Sequence, residues 1–236
     1  ERQPPHRLYF KLPMNTSNRC NIHPAPSWTA EECQAFDQHL QSIGLPAAIL
    51  MEQAARSLSD FLISATYPTS TNIILFLCGP GNNGADAIAA ARQLLLHPRL
   101  KPVVLTPGGS PAPNSLLALQ LNSFKKLGGE LLNLGQNGLK SLPEAPSVVV
   151  DGLFGVGLKR PIGGIYAETI RQAAEIGVPV LAVDCPSGLN CNDGTVLGPC
   201  LPATWTLSFI GAKQGFSRNA GPSLCGQIQI ADIGVR

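Results

Sequence analysis

Charge is scarce in this sequence. Only 14% of its 236 residues are Asp, Glu, Lys or Arg, and the formal net charge is +2. No basic run is present, so the electrostatic footprint of a nucleic-acid-binding protein is missing. Long apolar runs are missing too. Although 44% of the chain is hydrophobic, no stretch reaches the roughly 18 consecutive apolar residues that a membrane-spanning helix needs. Cysteine pairs in C-x-x-C spacing are absent. The seven cysteines are odd in number and only four histidines could join them, which argues against zinc and for free thiols in a reducing compartment. The start of the chain lacks the apolar core of a secretory signal. Residues 1–26 instead carry Arg2, Arg7, Lys11 and Arg19 among prolines and asparagines. A disordered arm, a tag remnant and a targeting segment all fit them, and Met14 fits a native start. The expected location is cytoplasmic, with organellar targeting by the arm left open.

Low charge beside abundant apolar residues points to a surface partly covered by a partner, such as a second copy of the chain. The length suits one α/β domain with a substantial core, over residues 27–236. Thr29 and Glu32 stand at capping-box spacing and open a helix running to about Leu40. Gly44-Leu45-Pro46 ends it, and a second helix runs from about Ala47 to Ser64, its apolar residues recurring every three or four positions. Beyond it, strands are predicted near 72–78, 102–106, 130–133, 147–153, 179–184, 204–210 and 227–231, with helices near 84–97, 112–127 and 164–176. The runs 147–153 and 179–184 are apolar up to an Asp, the sign of parallel strands buried on both faces. The expected architecture is a three-layer αβα, Rossmann-like fold, a mostly parallel doubly wound sheet with an N-terminal helical extension. The last two strands are joined by the short glycine-rich stretch 211–226 and are expected to pair without a helix between them.

The most informative segment is CGPGNNGADA, Cys78 to Ala87. An apolar strand precedes it and a helical run follows, the layout that aims backbone N–H groups at a phosphate. Gly79, Gly81 and Gly84 satisfy G-x-G-x-x-G. An NAD dehydrogenase would also place an acidic residue at the end of the second strand for the ribose. Here that strand ends in Thr106-Pro107-Gly108, so the oxidoreductase reading lacks its confirming residue. Asn82, Asn83 and Asp86 add side chains that a plain phosphate cradle does not need. Two more polar clusters fall at strand ends: Asp151 with Gly155 to Pro161, and Asp184-Cys185-Pro186-Ser187-Gly188. Each alone is also ordinary turn chemistry. Three together at the carboxyl ends of parallel strands read as one site.

Together these motifs resemble the YjeF N-terminal domain family, specifically its NAD(P)H-hydrate epimerases. The resemblance rests on Met51-Glu52-Gln53-Ala54-Ala55-Arg56, GPGNNGAD at 79–86, VVDGLFGVGLKRP at 149–161, VDCPSGLNCNDG at 183–194 and the late Phe209 to Gly215 segment. It covers about residues 29–234. The family's glycine turn more often reads Asn-Asn-Gly-Gly-Asp-Gly; Ala85 and Ala87 stand here at two of its glycines. The resemblance implies epimerisation of the R and S forms of hydrated nicotinamide cofactor, NADHX or NADPHX. It implies substrate binding by Asn82, Asn83, Gly84, Ala85, Asp86, Gly155, Val156, Gly157, Leu158, Lys159, Arg160, Pro161 and Asp184, and a potassium ion on Asn83, Asp151 and Ser187. It further implies a homodimer and a separate dehydratase as functional partner. Asp184 and Lys159 are the expected proton-transfer pair, Arg160 being better suited by its fork to clamp phosphate. The same fold also occurs in non-catalytic scaffold and ligand-sensing modules, which need not keep the polar clusters.

Overall fold

The computed structural model describes residues 27–66, 72–107, 110–134, 139, 142 and 144–235; the arm expected over 1–26 lies outside them. Seven strands form one sheet, ordered β3-β2-β1-β4-β5-β6-β7, and every pairing is parallel. They are β1 (Asn72–Cys78), β2 (Leu100–Thr106), β3 (Glu130–Asn133), β4 (Val148–Gly152), β5 (Val180–Val183), β6 (Trp205–Phe209) and β7 (Gln227–Ala231). The helices are α1 (Ala30–Ser42), α2 (Ala47–Thr66), α3 (Asn82–Leu94), α4 (Leu116–Lys126), α5 (Gly164–Ile176) and the single turn α6 (Gly221–Leu224). No helix among the described residues is long and apolar enough to cross a membrane.

Strand β1 shows why the sheet needs helices on both sides. Ile74, Phe76 and Cys78 pack with residues of α2, α3 and α4, whereas Ile73, Leu75 and Leu77 pack with Ile170 and Ala173 of α5. Alternate side chains enter opposite cores, so a continuous apolar run is what a central parallel strand requires. The two N-terminal helices are more than an extension. Leu50, Met51, Ala54, Leu58 and Leu62 of α2 belong to the larger core. Strands β6 and β7 do pair directly, but a 3-10 turn (Gln214–Ser217) and α6 lie in the crossover between them. A parallel pair must return the chain to its starting edge, which a bare hairpin cannot do.

Strand order reverses between β1 and β4, and their carboxyl ends open a crevice there. Two glycines let the backbone close around it. A Cβ on Gly79 would collide with the carbonyl of Leu153, and one on Gly84 with the carbonyl of Gly79. Ala87 instead fills space, its methyl lying where a side chain on Gly152 would stand. Ala85 and Ala87 are helical and buried, and neither has positive φ. The two alanines therefore ask nothing of the backbone that a non-glycine residue cannot give.

Candidate functional site

A cleft of about 410 Å³ lies over the switch point. Its walls are α1 (Cys33, Gln34, Asp37, Gln41), the Pro80–Asp86 turn and the loop Leu153 to Leu158; Asp184, Phe209, Ile210 and Lys213 complete it. Helix α3 begins at Asn82, two residues before the predicted start, with extended Gly81 as its N-cap and no side-chain cap. Asn82 and Asn83 therefore form its first turn, where N–H groups have no carbonyl of their own helix to bond. That turn faces the cleft.

Asp184 closes β5 in a left-handed conformation, φ 64°. The Cys185 N–H donates to the Val183 carbonyl at 2.7 Å, making a tight three-residue turn with Asp184 at its centre. Ile210, after β6, repeats the arrangement: its φ is 66°, and Gly211 N–H donates to the Phe209 carbonyl at 2.7 Å. Turns of this kind with positive φ are rare and strained, most of all for a β-branched residue. Two side by side at one site are the sort of strain that functional sites hold. The second turn sends Lys213 back beneath Asp184. Its ammonium lies 2.7 Å from Asp184 Oδ1 and donates to Ser208 Oγ (3.0 Å) and to the carbonyls of Phe209 (2.7 Å) and Gly211 (3.1 Å). Lys213 is 1% exposed. Burial by itself would lower its pKa, but the Asp184 charge and hydrogen bond, with the nearby Cys33 and Cys191, together outweigh that and hold the ammonium above the ordinary lysine range. Asp184 Oδ1 also accepts from Phe209 N–H at 3.0 Å. Among the described residues every hydrogen bond to this carboxylate falls on Oδ1, so Oδ2 remains for an occupant of the cleft.

Lys159, expected as the partner of Asp184, is exposed and does not line the cleft. Its charge is felt by Glu31 at the start of α1. Arg160 and Pro161 are likewise exposed beyond the cleft, whereas Gly155, Val156, Gly157 and Leu158 line it. Gly84 and Ala85 are buried behind the wall formed by Asn82, Asn83 and Asp86. Sequence reasoning missed Lys213. It stands in the Phe209 to Gly215 segment already singled out, but a lysine in a glycine-flanked turn reads as solvated.

Asp86 is pushed well above the usual carboxylate range, first by desolvation and then by the charges of Asp184 and Asp37. Asp37 is raised by desolvation and by Asp184, with Lys213 pulling the other way. Cys33 is pushed up to about 12 by burial, so no thiolate is available in the cleft at neutral pH.

The three residues expected to hold a cation meet around residues 153–155. Buried Asp151 accepts from Ser187 N–H (2.8 Å), Ser187 Oγ (2.6 Å) and Leu153 N–H (3.3 Å). Ser187 Oγ in turn accepts from Phe154 N–H at 2.9 Å. Asn83 lies against Gly155, and its buried Nδ2 has no hydrogen-bond partner. Desolvation raises Asp151 despite the Ser187 hydrogen bonds, and no ion pair to it occurs among the described residues. A buried carboxyl without a counter-ion fits a cation that takes hard oxygen donors, to which Asn83 could offer only its Oδ1.

Comparison with known proteins agrees with this architecture. Residues 47–215 match the model of the YjeF-related protein N-terminus. NAD(P)H-hydrate epimerases are among the relatives. That of Bordetella bronchiseptica is 37% identical, over 87% of this chain and 86% of its own length. Those of Weissella koreensis (35%, 88% and 90%) and Limosilactobacillus reuteri (33%, 86% and 93%) are similar throughout. The crystal structure of yeast ynu0, YNL200c, superposes with a TM-score of 0.74 at 21% identity, covering 87% of each chain, a likeness of fold. The chain belongs to the family of the YjeF-related protein N-terminus.

Proposed function

We propose that this chain is an NAD(P)H-hydrate epimerase, a metabolite-repair isomerase that interconverts the R and S forms of NADHX and NADPHX. The observation that carries the reading is Asp184, a carboxylate in a strained turn, paired to a buried lysine, facing a cleft beside a helix N-terminus. The relatives bearing that name align over most of their length. A scaffold would have no use for a strained, ion-paired carboxylate there. An NAD oxidoreductase would need an acid where β2 ends in Thr106 and Pro107.

The first turn of α3 and the 155–158 loop offer N–H groups to the phosphates of the dinucleotide. Lys159 and Arg160 stand at the rim, where they attract the same phosphates from outside. Inverting C6 requires a bond at that carbon to break and reform on the other face, with a proton moved on and off oxygen or nitrogen. Asp184 handles that proton through Oδ2. Lys213, rather than Lys159, ion-pairs with this carboxylate and holds it in place.

A potassium ion on Asn83, Asp151 and Ser187 belongs to this reading, supported by the buried Asp151 carboxyl that has no counter-ion among the described residues. Its charge would offset Asp151 and steady the 153–155 loop. Thermal melts in KCl should exceed those in choline chloride at equal ionic strength, and Asp151→Asn should remove the difference. A homodimer and a separate dehydratase that consumes one epimer complete the proposal.

The test is chromatography of purified NADHX epimers after incubation with wild type and with Asp184→Asn. Wild type should equilibrate the epimers, and the variant should be slower by about 10²–10⁴-fold, the usual contribution of a proton-transfer group. Wild-type protein that leaves both epimers unchanged would end the epimerase reading in favour of a scaffold.

A further inference from the structure

Asp37 lies outside the span of the family match, residues 47–215. It nevertheless faces the cleft from α1, together with Gln34 and Gln41 one helical turn to either side. Helix α1 is fastened to the turn that carries Lys213. Trp28 N–H donates to the Ala212 carbonyl at 2.8 Å and the Trp28 carbonyl accepts from Gln214 N–H at 2.9 Å, so the bonds straddle Lys213. Ala30 N–H donates to Asn192 Oδ1 at 2.6 Å, and Asn192 Nδ2 to Glu31 Oε2 at 2.9 Å. The backbone that places Lys213 and the helix that places Asp37 are thus held as one piece.

Three carboxyl groups line this cleft, Asp37, Asp86 and Asp184, and the only cationic side chain among the described lining residues is Lys213, already bonded to Asp184. With all three ionised, the cleft would be negative before a dinucleotide brought its own phosphate charges. Protons retained on carboxyls resolve that conflict. The groups that face Asp37 are Asp184 after β5, Lys213 after β6, Asp86 on α3 and Cys33 on its own helix. Burial, and then the Asp184 charge, raise Asp37 against the pull of Lys213.

We propose that Asp37 is a second catalytic proton-transfer residue of this site, sharing one proton with Asp184 across the reacting ring. The proposal rests on the epimerase reading. Protonated Asp37 gives its proton to the C6 oxygen on one face. The C6–O bond breaks with its electron pair leaving in water, and the N1 lone pair forms an N1=C6 double bond. Water then adds at C6 from the other face, and its lost proton goes to the Asp184 carboxylate. The proton returns from Asp184 to Asp37 by way of solvent. Atoms and charge balance, and neither reductant nor oxidant is needed. The reverse reaction starts from the proton on Asp184, so one carboxyl on each face serves both directions.

Asp37→Asn tests this directly. Its kcat should fall by about 10²–10⁴-fold, with KM within a few-fold of wild type. Wild-type kcat should decline as pH rises through the raised pKa of Asp37, and that limb should vanish in the variant. Asp37→Glu should recover part of the rate and restore the limb. Melting gives an independent reading. A carboxyl whose folded-state pKa is raised lowers stability above its unfolded pKa, so Asp37→Asn should melt higher than wild type at neutral pH. Active wild type beside an Asp37→Asn enzyme within three-fold of it, with an unchanged pH profile, would overturn the assignment while leaving the epimerase reading intact. Wild type inactive on both epimers would remove that reading, and the role of Asp37 with it.

Discussion

At the scale of the residue, the Asp184–Lys213 pair couples activity to stability. Removing one member of a buried ion pair costs about 3–5 kcal/mol, because the other is left uncompensated. Asp184→Asn should therefore lower the melting temperature as well as the rate, even though Asn tolerates the left-handed backbone. Replacing both, Asp184→Asn with Lys213→Met, should recover much of the stability and none of the activity; calorimetry beside the epimer assay separates the two effects. Asp86 should behave oppositely. Its folded-state pKa is raised, so its charge opposes folding above the unfolded carboxylate pKa, and Asp86→Asn should melt higher at neutral pH. Asp184 could be found in the sequence because an Asp ending an apolar run announces itself. Lys213 could not. Its burial depends on the strained turn at Ile210 and on the Trp28 strap, and neither leaves a signal near the lysine in the sequence.

At the scale of the element, the strand–turn–helix at β1 and α3 was legible because glycines and apolar periodicity mark it. Its exact start was not. Asn82 and Asn83 look like turn residues, but extended Gly81 supplies the N-cap and lets them enter the helix. The departure at Ala85 also resolves here. Because Ala85 is helical, Ala85→Gly should cost about 1 kcal/mol of helix propensity and leave the rate unchanged, whereas Gly84→Ala should damage the site through the Gly79 carbonyl. Helices α2, α3 and α4 are joined by a polar knot. Arg92 Nη2 donates to both Glu52 oxygens at 2.6 Å, and Gln120 and Gln93 add bonds of 2.9 and 3.1 Å. Desolvation opposes the Glu52 charge, but these donors outweigh it and hold Glu52 below the usual range. The sign follows from that depression: the knot stabilises the fold above the unfolded Glu pKa and is lost as pH falls through the lower folded value. Glu52→Gln should flatten that part of an acid-denaturation curve. Glu52 stood out in the sequence as part of a motif, but its partners lie on two other helices, so its structural role was invisible there.

At the scale of the molecule, the parallel order and the buried strands follow from composition, since runs apolar on both faces require helices on both sides. The low charge content motivates the homodimer, and light scattering at tens of micromolar should give twice the chain mass; a monomer mass would remove that part of the proposal. The location of the cleft is where sequence reading falls short. It draws on Gln34 near one end of the described chain and on Lys213 and Ile233 near the other. During synthesis, Trp28 and α1 leave the ribosome long before Ala212 and Gln214 exist to receive them. Contacts this distant along the chain form late in folding. A nascent chain can thus assemble β1 to β5 and still have no working cleft, so chemistry begins only once the last turn of the sheet has been made and the first helix has closed on it.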